Sequence, residues 1–187
     1  MKWLYALGLC SLSFITHAEG LDIAQEAGSP QAQFDDLRYR LGFEVYLANK
    51  NLAAAWQVAK KAVAVEPNNL FWLEKFAQVS EWIGKPEQAL PVWLSYAQKT
   101  GQQTAWDNVK RLAIGLYDDS TLLIYQKRQV GLKPNDVAEI DALVQIYERL
   151  GESVAGLDFL AKLGQKSQAK RALLSAEASL AERAGQD

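Results

Sequence analysis

The chain has 187 residues, 49% of them hydrophobic and 22% charged, with a formal charge of −2. That composition describes a globular protein with one core or one short repeat array and excludes a disordered tail. A mildly acidic chain without a basic run also argues against nucleic acid as a partner.

Residues 1–18, MKWLYALGLCSLSFITHA, begin with Lys2, run apolar from Trp3 to Ile15 and close with Thr16-His17-Ala18. Small residues at the two positions that a signal peptidase reads make this a cleaved secretory signal. The mature chain is therefore expected in the periplasm of a Gram-negative bacterium, possible outer-membrane association included. An uncleaved anchor is the alternative, but the apolar stretch falls short of the roughly 20 residues that span a bilayer. Leu7-Gly8-Leu9-Cys10 is a poor lipoprotein box, because Leu directly precedes the Cys.

Cys10, His17 and Met1 are the only Cys, His and Met in the chain. Cleavage would leave no thiol nucleophile, disulfide, imidazole base or soft metal ligand, so no metal and no cofactor is expected. Loss of Lys2 leaves 19 basic against 22 acidic side chains, a charge of −3. No span is expected in residues 19–187.

Residues 19–35 carry little periodicity and read as a flexible leader. Beyond them, turn-like pairs recur at Lys50-Asn51, Gly84-Lys85, Asp118-Asp119, Gly151-Glu152 and Gly185-Gln186, at steps of 34, 34, 33 and 34 residues. A second series of breaks falls between them, at VEPNN (65–69), KTG (99–101) and LKPND (132–136). Each period thus holds two segments of a dozen residues. Both segments read as helices. LVQIYERL keeps Leu143, Ile146, Tyr147 and Leu150 on one face at the spacing of an amphipathic helix. Residues 53–65 and 88–98 carry Ala, Val, Leu and Trp at the same intervals.

This pattern resembles the tetratricopeptide repeat (TPR), a 34-residue helix-turn-helix unit. In the second unit Leu73, Phe76 and Ala77 match the large-large-small positions of the first helix, Gly84 the turn, Ala89 the tight inter-helix contact and Trp93 the large position of the second helix. Tyr46, Ala55, Ala62 and Pro67 match in the first unit. Leu143, Tyr147, Gly151 and Leu160 match in the fourth, with Gly156 where the family prefers Ala. The third fits at Trp106 and Pro134, but Tyr117-Asp118-Asp119 replaces the Gly turn and its register is open by one residue. The resemblance implies an all-α, right-handed superhelix of antiparallel helix pairs: four over residues 36–164, then a terminal helix over 165–187.

Local chemistry explains residues 81–93, EWIGKPEQALPVW. Gly84 permits the positive φ of a helix end, and Pro86 suits a first turn, where its missing N–H has no partner. Pro91 sits about one turn into the next helix and is expected to kink it slightly. The terminal helix stops at Gly185, where a second helix would begin. It reads either as a polar cap or as the first helix of a further repeat in a longer protein, and the second is favoured.

Catalytic patterns are weak. Lys99-Thr100-Gly101 and Ser167-Gln-Ala-Lys170 occur in the wrong order for a serine acyl-enzyme, without the third motif. Asp35-Asp36 and Asp118-Asp119 are neighbours in sequence rather than carboxyls facing each other across a cleft, and they read as helix caps. A non-enzymatic protein is expected.

The resemblance implies a concave wall lined by the first helix of each pair. Its groove positions fall on Arg40 and Glu44, on Phe71, Glu74, Gln78, Glu81 and Trp82, on Asn108, and on Asp141, Gln145, Glu148 and Arg149. Acidic residues outnumber basic ones there, five to two, so a protein segment or a polysaccharide of cationic character would fit. Charged groove residues also simply keep a helix face soluble. Trp82 either stacks on a ligand or fills the seam between units, while Trp56, Trp72, Trp93, Trp106, Tyr125 and Tyr147 read as packing.

A narrower resemblance lies in Glu81 to Ala97, of the form EWxGxPxxALxxWLxxA, followed by LIYQKR and YERLG. It is similar to the periplasmic repeat region of the outer-membrane exporters of the Pel exopolysaccharide system. That likeness implies a scaffold in polymer export and biofilm matrix secretion, beside an outer-membrane component. The alternatives are an envelope chaperone anchoring chains on Phe71 and Trp82, a carboxylate-dependent sugar hydrolase built on Asp118 and Asp119, and a structural spacer.

Overall fold

A computed structural model describes residues 34–164 and 170–185, the side chains of 170–172 excepted. The expected signal, most of the leader and the Ser-Gln-Ala part of the 167–170 fragment lie outside these residues. Nine helices are described: α1 (Asp36–Ala48), α2 (Leu52–Val65), α3 (Leu70–Trp82), α4 (Pro86–Thr100), α5 (Gln103–Gly115), α6 (Asp119–Leu132), α7 (Val137–Leu150), α8 (Ser153–Gly164) and α9 (Lys170–Ala184). Each packs on its neighbours in the chain, and α9 also reaches back to α7.

The helix starts follow from side chains that accept orphan backbone N–H groups. Asp35 takes Arg38 N–H, Asn51 takes Ala54 N–H, Asn69 takes Phe71 and Trp72 N–H, Asp118 takes Thr121 N–H, and Asp136 takes Ala138 and Glu139 N–H. Helix α4 lacks such a cap but has Pro86 in its first turn, as expected. It runs unbroken through Pro91, which leaves the Glu87 carbonyl without its helical donor.

Helices α1, α3, α5 and α7 are each joined to the next by the same tight closure, and α9 ends on a residue of the same conformation. A residue with positive φ ends the helix at Lys50 (57°), Gly84 (71°), Tyr117 (56°), Gly151 (70°) and Gly185 (68°). The next N–H then reaches five residues back, from Asn51 to Tyr46, Lys85 to Ser80, Asp118 to Ala113 and Glu152 to Tyr147. These closures place the third turn at Tyr117 and make the step from Gly84 one of 33 residues.

Three runs of buried side chains form a core along the array. Trp56, Trp72, Trp93, Trp106, Tyr125 and Tyr147 all belong to it, with no more than 7% exposure. Small residues let the paired helices approach: Ala55 and Ala89 are wholly buried. At the corresponding point Gly156 is tighter still, since a Cβ there would lie 2.7 Å from Leu180 Cδ1 and 3.0 Å from the Tyr147 ring. The departure from Ala thus reflects α7, α8 and α9 meeting at one point.

Candidate interaction groove

Superposing the odd-numbered helices through their buried residues, Leu73, Trp106 and Ile140, aligns four columns on the face expected to line the groove. The first holds Arg40, Glu74, Asp107 and Asp141; the second Glu44, Gln78, Arg111 and Gln145. The third holds Leu47, Glu81, Ile114 and Glu148; the fourth Ala48, Trp82, Gly115 and Arg149. The third unit therefore contributes Asp107, Arg111 and Ile114 in addition to Asn108, which is half-buried and accepts from Arg111 Nη2 at 3.2 Å. The signal for this assignment is the 33-residue step, visible once Tyr117 is known to be the turn.

Ion pairs tie successive units. Glu81 accepts Trp93 Nε1–H at 2.7 Å on one oxygen and pairs with Arg111 through the other. Asp119 takes Arg149 through two bonds of 2.9 and 2.6 Å, which hold its carboxyl below the usual range against a smaller opposing effect of burial. Glu148 meets Arg183 at 3.8 Å and accepts from Ser179. Arg40 is bound to Asp36 at 2.6 Å while its guanidinium lies 3.9 Å from the Phe71 ring centre.

Much of the groove's charge is consequently neutralised within the protein. Among the described residues, Glu44, Glu74, Asp107 and Asp141 have no ion-pair partner. Glu74 and Asp107 accept only from Gln78 and Gln103, at 3.1 and 2.9 Å. Gln145 is exposed. The field of Glu74, after burial, helps push the Tyr96 hydroxyl pKa up.

Trp82 stands apart from the other described tryptophans. It is 57% exposed, and its indole has no hydrogen-bond or ring partner among the described residues. It does not fill a seam. Gly115, its counterpart on the next helix, presents no side chain, and Ile114 beside it is 52% exposed. Phe71, by contrast, is half-buried beneath Arg40 and Lys75. Asp118 is occupied as the α6 cap and Asp119 by Arg149, so these two carboxyls serve local structure.

The repeated closures and the small residues between paired helices decide the architecture. It is a TPR-like array. No protein-family model matches the chain, and no curated protein matches it. Solved structures with a similar trace include the MamA protein (16% identity, 80% of this chain and 82% of that one, TM-score 0.44). Others are a tetratricopeptide repeat protein from Parabacteroides merdae (16% identity, 80% and 60%, 0.42) and YrrB, described as a TPR protein with an unusual peptide-binding site (12% identity, 81% and 79%, 0.41). Likenesses at this level carry no functional argument.

Proposed function

We propose that this chain is a non-enzymatic scaffold whose groove holds an extended segment of a partner, with Trp82 as the apolar anchor. The observation that carries the reading is an open indole on the same wall as four carboxylates that lack cationic partners. A half-exposed Trp without a hydrogen-bond or ring partner is costly to leave in water and valuable once covered. The carboxylates of Glu74, Asp107 and Asp141 fall on α3, α5 and α7, one in each successive unit. A segment with cationic groups at regular intervals matches that arrangement.

The signal-like start supports an extracytoplasmic site of action, and the Glu81–Ala97 likeness supports a place in exopolysaccharide export beside an outer-membrane component. Within that reading the occupant is a Lys/Arg-rich protein segment, and an amino-sugar polymer is the competing ligand. A chaperone anchored on both Phe71 and Trp82 is less well supported, because Arg40 and Lys75 already cover Phe71.

Calorimetric titration of a Lys-rich peptide and of an amino-sugar oligomer separates the two ligands. The peptide should bind more tightly, and Glu74→Gln with Asp107→Asn and Asp141→Asn should weaken it several-fold at low salt. An unchanged affinity in that triple variant would remove the electrostatic part of the proposal.

A further inference from the structure

Two exposed apolar side chains mark one end of the α3 and α5 faces. Trp82 at the end of α3 and Ile114 near the end of α5 are 57% and 52% exposed, and neither belongs to any of the three cores. In the first and fourth units the matching columns hold Leu47, which packs against a core, and the charged Glu148 and Arg149. Helices α2 and α6 stand on either side of this stretch of the array, so neither exposure arises at an end of the described residues.

One contact lies between the two side chains. Glu81, next to Trp82 in the chain, pairs with Arg111, and Ile114 follows Arg111 by one turn on the same helix face. The other Glu81 oxygen accepts Trp93 Nε1–H, so this carboxylate is used up inside the protein. The carboxylates that lack cationic partners stand farther back along the same helices. Glu74 and Asp107 lie two turns before Glu81 and Ile114, about 10 Å along the helix axis. They accept only from the neutral amides of Gln78 and Gln103. Two neighbouring helices thus carry an acidic row and an apolar row, with Gln78 and Arg111 between them.

A ligand that satisfies both rows needs cations along one edge and apolar groups along the other. An extended strand has that form, because successive side chains point to opposite sides. Laid across α3 and α5, it turns one set of side chains toward Glu74 and Asp107 and the other toward Trp82 and Ile114. Charge then selects the strand whose Lys or Arg side chains lie on the carboxylate edge. A polymer of one repeated amino sugar carries no apolar side chains to separate from its charges.

We propose that this face takes an amphipathic strand of a protein partner, in which Lys or Arg alternates with bulky apolar residues, and that Trp82 and Ile114 together hold the apolar edge. The inference rests on the scaffold reading above and adds Ile114 and the alternation to it.

Calorimetric titration with three peptides of equal length and charge tests this. In one, Lys and Leu alternate; in another, the same residues form two blocks; in the last, Lys and Ser alternate. The Lys/Leu alternation should bind about tenfold more tightly than either of the others. Ile114→Ser should abolish that advantage while leaving the affinity for the Lys/Ser peptide and the urea midpoint unchanged. Leu132→Ser, at an exposed apolar position outside the two rows, should leave all three affinities unchanged. Equal binding of the alternating and block peptides, or an advantage that survives Ile114→Ser, would overturn the inference. The scaffold reading would still stand in that case if Lys/Ser binding weakened in the Glu74→Gln, Asp107→Asn pair. Tighter binding of an amino-sugar oligomer than of the alternating peptide would overturn the inference in favour of a polysaccharide, and binding of none of these ligands would remove both readings.

Discussion

The carboxylate of Glu81 on α3 joins Arg111 on α5, thirty residues later in the chain, while its other oxygen takes the indole N–H of Trp93. One side chain thus links three helices. It ties the third unit to the second.

Glu81→Ala removes both contacts and leaves the nearly buried Trp93 N–H without an acceptor. The expected loss is about 1–2 kcal/mol in urea unfolding. Arg111→Ala, which breaks only the more exposed pair, should cost under about 1 kcal/mol.

Gly156 is the tightest point between paired helices. Gly156→Ala improves helix propensity but drives a methyl group to 2.7 Å from Leu180 Cδ1 and 3.0 Å from the Tyr147 ring. Overpacking should win, lowering stability by about 1–3 kcal/mol. Combining it with Leu180→Ala should remove part of that cost, a coupling that a double-mutant cycle measures.

Tyr117 adopts a φ of 56° and is 93% exposed. An aromatic L-residue there carries strain that Gly lacks, so Tyr117→Gly should stabilise the chain by about 1 kcal/mol. The same change at Gly84 in reverse, Gly84→Tyr, should destabilise it by a similar amount, and both are read from denaturant midpoints.

The Asp119–Arg149 pair makes a limited, pH-dependent contribution. The folded state holds the Asp119 carboxyl below its ordinary value of 3.8, chiefly through the Arg149 hydrogen bonds. The stabilisation is fully present above that value and is lost as pH falls through the lower, folded one. At side-chain exposures of 47% and 28%, it should amount to about 0.5 kcal/mol. The difference in urea midpoint between the wild type and Asp119→Asn should therefore stay constant from neutral pH to about pH 5 and vanish in stronger acid.

Much of the fold was legible because its punctuation uses recognisable residues. Gly84 and Gly151 announce their turns, and Asp35 and Asp118 announce helix starts by their capping chemistry. The third turn was hidden because Tyr117 takes a conformation that sequence rules reserve for glycine. That one-residue displacement concealed Asp107, Arg111 and Ile114. Groove positions could be placed on one helix face from spacing alone, but their charge state could not. Whether Glu81 is free or paired depends on Arg111, and whether Phe71 is open depends on Arg40, both contacts between units. Trp82 was ambiguous for the same reason: only the packing of the units shows that it is exposed.

The most direct measurement is the affinity of a Lys-rich peptide for the wild type and for Trp82→Ala, followed by tryptophan fluorescence and checked by calorimetry. Because Trp82 is the exposed indole among the described tryptophans, wild-type binding should change the emission. Trp82→Ala should lose that change and bind about tenfold more weakly, a difference of about 1.4 kcal/mol, with an unaltered urea midpoint. Equal affinity of the two proteins would contradict the account, since the groove would then hold its partner without the side chain on which the proposal rests.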